Sequence, residues 1–227
     1  MDTEKLCSGC SAIDKLLNGG YDKDIITTIY GPAGSGKTTM CLMCSINVSQ
    51  NKKVIYIDTE GGFSTERLKQ LDGYNEKTKK NILILKPTDF IEQNKMFNNT
   101  RQIINEKIGL IVVDTISMHY RIECGKTKNV KKINNELGIQ ISILNEIARK
   151  KNIPVLLTNQ VYSDFEEKDV VKMVGGDILK YTSKCLIELM KYKTKRKIIV
   201  KKHRALPENK SIIIEIKEKG FFETIES

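Results

Sequence analysis

A glycine-rich loop that joins an apolar segment to a helix constrains this chain more than any other feature. It follows the apolar run Ile25–Tyr30, fits the pattern G-x-x-x-x-G-K-[ST], and consists of Gly31, Pro32, Ala33, Gly34, Ser35, Gly36, Lys37, Thr38 and Thr39. Glycines let successive backbone N–H groups point at a phosphate, which also faces the positive end of the next helix. Lys37 is the residue type that reaches the β- and γ-phosphates, and Thr38 offers a hydroxyl to Mg²⁺. The sequence therefore predicts an ATP or GTP site; the alternative is a chance glycine-rich turn.

Apolar segments recur along the chain and alternate with helical patterns. The predicted strands span residues 25–30, 54–58, 82–85, 110–114 and 154–159, and the predicted helices span 12–18, 38–50, 65–71, 89–107 and 130–151. Such alternation is typical of a parallel sheet covered on both faces. Three close strands at 186–190, 197–202 and 212–217 indicate antiparallel pairing. The predicted fold class is α/β: a P-loop NTPase core with a mainly parallel sheet, helices on both faces and an antiparallel C-terminal extension.

Length and charge limit the class of protein. The 227 residues predict one domain over 1–227, and no apolar run approaches about 18 residues. We therefore expect a cytoplasmic protein with no membrane partner. The formal net charge of +10 indicates an anionic partner beyond the nucleotide, with nucleic acid as the first choice. A Lys-rich composition without such a partner is the alternative.

Two C-x-x-C pairs raise the question of a zinc site. They are Cys7 with Cys10 and Cys41 with Cys44. The second pair falls on one face of the predicted helix 38–50, together with Met40 and Met43, where a structural zinc site would lack its usual turn. We interpret Cys41 and Cys44 as core residues.

Polar side chains stand at the ends of three predicted strands. Asp114 follows four apolar residues and fits a carboxylate that holds a water of the Mg²⁺ shell, with a helix cap as the alternative. Asp58 and Glu60 follow another strand, where Glu60 is the better base and Asp58 is expected to brace the loop. Gln160 offers a neutral amide that can bond a γ-phosphate, or else a loop backbone. These groups predict a catalytic site at one edge of the sheet.

Five motifs occur in a characteristic order: Gly9–Gly20, Asp58–Leu68, Thr158–Val161, Gly175–Leu179 and Leu206–Glu208. They resemble the RecA/RadA recombinase superfamily, and the match spans nearly the whole chain. The resemblance implies a RecA-like core with ATP and Mg²⁺ as cofactors. It assigns Lys37, Glu60 and Gln160 to catalysis. In that assignment Glu60 is the catalytic carboxylate and Gln160 is the γ-phosphate sensor. The implied ligands are residues 31–39 for phosphate, Arg67 for adenine by stacking, and Thr38 and water-linked Asp114 for Mg²⁺.

The chain also departs from the full-length recombinases. The ATPase core begins within about ten residues of Met1, so we expect neither the N-terminal helical DNA-binding domain nor the linker that builds filaments. In this the chain is similar to the short archaeal paralogues of RadA. Lys202, His203 and Arg204 also match a triad of KaiC-type ATPases that reaches across a subunit interface; the alternative is part of a basic strand.

Candidate DNA contacts lie in two basic regions. The first DNA-binding loop of the family maps to about 119–132, where Tyr120 is expected to stack on a base. The second loop, 161–174, is mostly acidic and would repel phosphate, which predicts no strand exchange. A basic ribbon runs from Lys191 to Arg204. The expected DNA contacts are Arg121, Lys126, Lys128, Lys131, Lys132, Lys193, Lys195 and Arg196.

The resemblance and the charge together predict a DNA-binding, weak ATPase that assists homologous recombination and DNA repair. Modulation of branched-DNA processing is included in that role. The expected partners are DNA, a RadA-type recombinase, a Holliday-junction nuclease and further copies of the chain. Two alternatives stay open: a non-enzymatic mediator that holds ATP as a structural ligand, and a KaiC-like oligomeric signalling ATPase. A small-molecule P-loop kinase fits least, because its lid arginines have no counterpart.

Overall fold

A computed structural model describes residues 4–163 and 171–224. Its strands are β1 (Lys5–Leu6), β2 (Tyr21–Asp22), β3 (Ile26–Gly31), β4 (Lys53–Asp58), β5 (Ile82–Leu85), β6 (Ile108–Asp114), β7 (Val155–Ser163), β8 (Val171–Met173), β9 (Cys185–Tyr192), β10 (Lys195–Lys202), β11 (Ser211–Lys217) and β12 (Gly220–Glu223). Its helices are α1 (Ser11–Leu16), α2 (Lys37–Ser49), α3 (Thr65–Gln70), α4 (Glu76–Asn81), α5 (Phe90–Ile103), α6 (Met118–Lys126), α7 (Val130–Lys151) and α8 (Gly176–Thr182).

One large mixed sheet organises the described residues. Its strand order is β12-β11-β10-β9-β3-β7-β6-β4-β5, with β8 paired to β7 and a separate β1-β2 pair. The pairs from β9 through β3, β7, β6 and β4 to β5 are parallel, whereas β9 to β12 pair antiparallel. The predicted parallel core and its antiparallel extension are therefore confirmed.

The two faces of the sheet carry separate hydrophobic cores. On β3, Ile29 joins the core that includes residues of α1, α2 and the inner face of β9 to β12, whereas Ile26 joins the core formed with α5 and α7. This split follows from the alternation of side chains along a strand. Each fully buried Ile or Leu contributes about 1.5–3 kcal/mol of transfer free energy, so both layers of helices are held firmly. Cys41 and Cys44 are buried in the first core, as predicted.

The structure contains elements that apolar periodicity did not predict. Helix α4 begins at a capping box, in which Asn75 and Thr78 satisfy each other's backbone N–H groups. Helix α6 occupies the segment expected to be a polar loop. Helix α5 ends at Ile103 instead of 107, because Ile104 is already extended. Strands β1, β2, β8 and β12 are two to four residues long. Elements this short carry too few residues for a period to emerge.

Among the described helices, none combines the length and apolar character that a membrane crossing requires.

Candidate nucleotide site

The glycine-rich loop connects β3 to α2, as predicted. Gly36 is the N-cap of α2 with φ 109°, and no side chain among the described residues caps that helix. The N–H groups of its first turn are therefore available to an anion. A Cβ on Gly36 would lie 2.8 Å from Cδ1 of Ile216, and one on Gly31 would overlap the backbone O of Leu189. Both positions require glycine because other parts of the chain approach the loop closely.

A cleft of about 600 Å³ opens beside this loop. It brings together most of the nucleotide-site residues predicted from the sequence with four that were not, namely Arg196, Ile216, Lys217 and Glu218. The lining residues are Ala33, Gly34, Gly36, Lys37, Thr38, Thr39, Glu60, Arg67, Asp114, Gln160, Arg196, Ile216, Lys217 and Glu218. The cleft is large enough for a nucleotide and presents cationic, hydroxyl and carboxylate groups to it.

Lys37 lies folded over the loop. Its side chain is largely buried, and Nζ donates hydrogen bonds to the carbonyls of Gly31 at 2.9 Å and Pro32 at 3.0 Å. Burial lowers the pKa of Lys37, while the carboxylates of Glu60 and Asp114 oppose that shift. A cation in this position is poised to exchange carbonyl partners for phosphate oxygens.

Asp114 stands at the end of β6 and is only 3% exposed. It accepts a hydrogen bond from the hydroxyl of Tyr56 at 2.7 Å on one oxygen and from Thr158 on the other. Burial, with the nearby Asp114 carboxylate, raises the pKa of Tyr56, which keeps the hydroxyl protonated as a donor. The two donors fix the orientation of the carboxylate toward the cleft.

Glu60 and Gln160 meet across the cleft. Gln160 Nε2 donates to Glu60 Oε1 at 2.6 Å, and Thr115 Oγ1 donates to the same oxygen at 3.1 Å. Asp58 instead accepts from the backbone N–H groups of Gly62 and Phe63 at 3.0 and 3.2 Å. The prediction that Asp58 braces the loop is confirmed, and Glu60 is left facing the cleft.

Arg67 is anchored by the turn between β11 and β12. Its guanidinium donates to the carbonyl oxygens of Glu218 at 2.6 Å and Lys217 at 3.1 Å, and to Gln70 at 3.0 Å. Ser64 caps helix α3 through the backbone N–H of Arg67. These bonds fix the guanidinium at the wall of the cleft. Stacking on adenine, implied by the resemblance, stays a prediction.

Arg196 corrects one of the expected DNA contacts. It lines the nucleotide cleft, and Nη2 donates to the carbonyl of Gly34 at 3.2 Å. Alternation along β10 explains the position, because Arg196 shares its strand face with Ile198 and Val200, which belong to the core that includes α2. The basic ribbon predicted from Lys191 to Arg204 is not one surface, because the side chains of β10 divide between the two faces of the sheet.

The Lys202-His203-Arg204 triad makes contacts within the chain. Lys202 donates to the carbonyls of Lys180 and Ser183 at 2.6 and 2.9 Å. His203 lies 3.3 Å from Asp22, and Arg204 binds both Asp22 and Asp24. Burial lowers the pKa of His203, with Asp22 opposing the shift. A contact to a neighbouring subunit stays a prediction, and it would require these bonds to break.

The first candidate DNA segment forms α6 and the start of α7 instead of an open loop. Tyr120 is 8% exposed, packs edge-on against Phe90 and donates to Asn134 at 2.7 Å, so the expected base stacking is wrong for this conformation. Five basic residues of this segment remain at the surface: Arg121, Lys126, Lys128, Lys131 and Lys132. Two of them lie near carboxylates, Lys126 near Glu123 and Lys132 near Glu136. Lys193 and Lys195 lie at the β9-β10 turn. The acidic part of the second segment, 164–170, lies outside the described residues.

Comparison with known proteins places this geometry in a family. The sequence model of the Rad51 family matches residues 2–224. The DNA repair and recombination protein RadB of Methanobrevibacter smithii is 42% identical over 219 residues, which cover 92% of each chain. RadB of Thermococcus sibiricus is 40% identical over 220 residues, covering 95% of this chain and 93% of the relative.

A solved structure gives the same result for the fold. The crystal structure of the RadB recombinase matches with a TM-score of 0.83 at 34% identity, covering 97% of this chain and 100% of that chain. The expected RecA-like fold class is thereby confirmed. From its sequence, its strand order and its cleft, the chain belongs to the Rad51 family, among the RadB proteins.

Proposed function

We propose that this chain is a DNA-binding ATPase of recombinational repair that turns over slowly and uses ATP mainly as a switch. The observation that carries the proposal is the Glu60-Gln160 hydrogen bond beside Lys37 in one cleft. A carboxylate base and an amide linked in this way give the site two arrangements. In one, Glu60 and Gln160 are bonded to each other; in the other, each is bonded to the nucleotide or to water. The relatives' description as DNA repair and recombination proteins supports the biological role.

The residues of the cleft fit ATP with Mg²⁺. Lys37 and the backbone N–H groups at the start of α2 would hold the β- and γ-phosphates, and Arg67 would lie against adenine. Thr38 would ligate the metal directly and Asp114 would act through a water. Bound Mg²⁺ would supply neutralisation of phosphate charge.

Glu60 would orient and deprotonate the attacking water. Its Oε1 accepts from Gln160 and Thr115, and an oxygen that two donors already occupy has little room to accept a hydrogen bond from water. We therefore expect slow ATP hydrolysis while both hydrogen bonds to Glu60 are in place. When Gln160 turns to a γ-phosphate oxygen, one of these two bonds breaks and Glu60 Oε1 is freed to accept a hydrogen bond from the attacking water. The same movement shifts the end of β7, which leads into the second candidate DNA segment.

DNA binding would use the exposed basic residues of α6, the start of α7 and the β9-β10 turn. The expected partners are DNA, a RadA-type recombinase, a Holliday-junction nuclease and further copies of the chain, without strand exchange by the chain itself. The KaiC-like alternative is less favoured because its triad is engaged within the chain.

A second candidate function is a mediator that holds ATP without hydrolysing it. The double hydrogen bond on Glu60 favours that candidate, since it restrains the base. ATP turnover with and without DNA decides between the two. We expect slow phosphate release by the wild type and loss of ATP affinity in Lys37→Ala. Unchanged affinity in that variant would contradict both candidates, and no turnover above the solution rate would select the mediator.

A further inference from the structure

Arg196 places a guanidinium inside the nucleotide cleft from a different element than Lys37. The residue lies on β10, whereas Lys37 opens α2. Nη2 donates to the carbonyl of Gly34 in the phosphate loop at 3.2 Å, and Nη1 donates to the carbonyl of Lys195 at 2.9 Å. The two bonds leave much of the five-donor guanidinium fork free.

The backbone around Arg196 is held on both sides. In the sheet its Cα partners are Lys191 on β9 and Ile214 on β11. Ile216, two residues further along β11, packs against Gly36 of the loop. The position of Arg196 relative to the loop is therefore set by sheet pairing and core packing, which preorganises the side chain for a ligand.

The charge of Arg196 has no counter-ion in the part of the chain that the structure describes. Some cations there are paired: Arg204 binds Asp22 and Asp24, and Lys5 lies 3.7 Å from Asp22. Lys37 and Lys202 donate to backbone carbonyls instead, as Arg196 does. No described carboxylate lies within 4.0 Å of the Arg196 guanidinium, and its Nε is buried without a hydrogen-bond partner among those residues. A partly buried cation without an anion is unfavourable, so the arrangement fits an anion supplied from outside.

We propose that Arg196 binds the phosphate chain of the nucleotide, as an arginine that the chain supplies from its own C-terminal strand. This rests on the proposed ATP site. The planar fork suits two phosphate oxygens at once, which a lysine cannot match. The C-terminal extension of the sheet thereby becomes part of the nucleotide site.

Nucleotide affinity of Arg196→Ala tests the proposal. Affinities for ATP and for inorganic tripolyphosphate, which has phosphates and no base, are measured by calorimetry for the wild type, Arg196→Ala and Arg196→Lys. We expect Arg196→Ala to weaken both by about 10- to 100-fold, the effect of removing one charge-assisted hydrogen bond, and Arg196→Lys to lie between. The matched control is Arg101→Ala, an exposed arginine on α5 that pairs with Glu146, and we expect wild-type affinities.

Lys37→Ala separates failure of this proposal from failure of the ATP site. If the wild type does not bind ATP, or Lys37→Ala binds it normally, the proposed function fails and Arg196 fails with it. If Lys37→Ala loses affinity while Arg196→Ala keeps it, only the role of Arg196 is overturned. Weakened ATP binding with unchanged tripolyphosphate affinity would likewise overturn it, because Arg196 would then act on the nucleoside part of ATP and not on its phosphate chain. Thermal unfolding identifies any variant that does not fold. If Arg196→Ala does not fold, the affinities of Arg196→Lys, which retains the charge, decide: weaker binding of ATP and tripolyphosphate than in the wild type supports the proposal, and wild-type affinities overturn it.

Discussion

Gln160 donates to Glu60 at 2.6 Å although 100 residues separate them in the chain. Glu60 follows β4 and Gln160 lies on β7, and β6 separates these strands in the sheet. Parallel strands end at the same edge, so their terminal side chains converge there. The pair connects the candidate base to strand β7, which leads toward the second candidate DNA segment.

Replacing Glu60 with glutamine should abolish most ATP turnover. The amide has nearly the same shape but cannot accept a proton from water, and general-base catalysis contributes about 10²- to 10⁴-fold. We expect phosphate release to fall by at least about 100-fold with ATP affinity within a few fold. Glu66→Gln is the control, since Glu66 is exposed and accepts a hydrogen bond from Ser64. Equal turnover in Glu60→Gln and the wild type would remove Glu60 from catalysis.

Replacing Arg67 with alanine should weaken ATP binding and loosen the C-terminal hairpin together. The change removes bonds to the carbonyls of Glu218 and Lys217, and it removes a wall of the cleft. One charge-assisted hydrogen bond corresponds to about tenfold in affinity. Calorimetry would measure affinity, and hydrogen exchange would measure protection of β11 and β12. Arg149→Ala, at an exposed position of α7, should change neither quantity. Normal affinity with a loosened hairpin would leave Arg67 a purely structural role.

Reversing the charges of Lys128 and Lys131 should weaken DNA binding and reduce its salt dependence. Removing one phosphate contact should reduce the slope of log affinity against log salt by about 0.7 to 0.9. Binding to labelled single-stranded and duplex DNA over a range of salt concentrations measures that slope. The control reverses Lys79 and Lys80 on α4, a helix that packs on α2 and β5, away from α6 and α7. An equal effect of both double variants would indicate net charge instead of a defined surface.

Two glycine-to-alanine changes should shift stability in opposite directions. At Gly31 a Cβ would overlap the backbone O of Leu189, which cannot move without disturbing β9, so we expect a loss of about 2 kcal/mol. At Gly138, inside α7, no described atom beyond the adjoining helix backbone lies within 4 Å of the new Cβ, so alanine should add about 0.5–1 kcal/mol through helix propensity. Denaturant unfolding measures both. A stabilised Gly31→Ala would mean that the loop and β9 are not packed this closely.

Local patterns in the sequence were enough to predict the phosphate loop, the alternation of strands and helices, and the strand-end groups Asp58, Glu60, Asp114 and Gln160. Each depends on a short run of neighbouring residues. A parallel sheet brings strand ends together whichever strands are adjacent, so the convergence of these groups followed from the fold class.

Tertiary structure decided the rest. Arg196 belongs to the cleft because β10 turns that face toward α2, and Tyr120 is buried because α6 forms and packs on α5. Lys202 binds carbonyls on α8 and just after it. His203 and Arg204 bind carboxylates on β2 and in the turn that follows it. A basic or aromatic residue has the same local signature whether it faces solvent or a distant strand. Its role depends on long-range packing, which sequence neighbours do not encode.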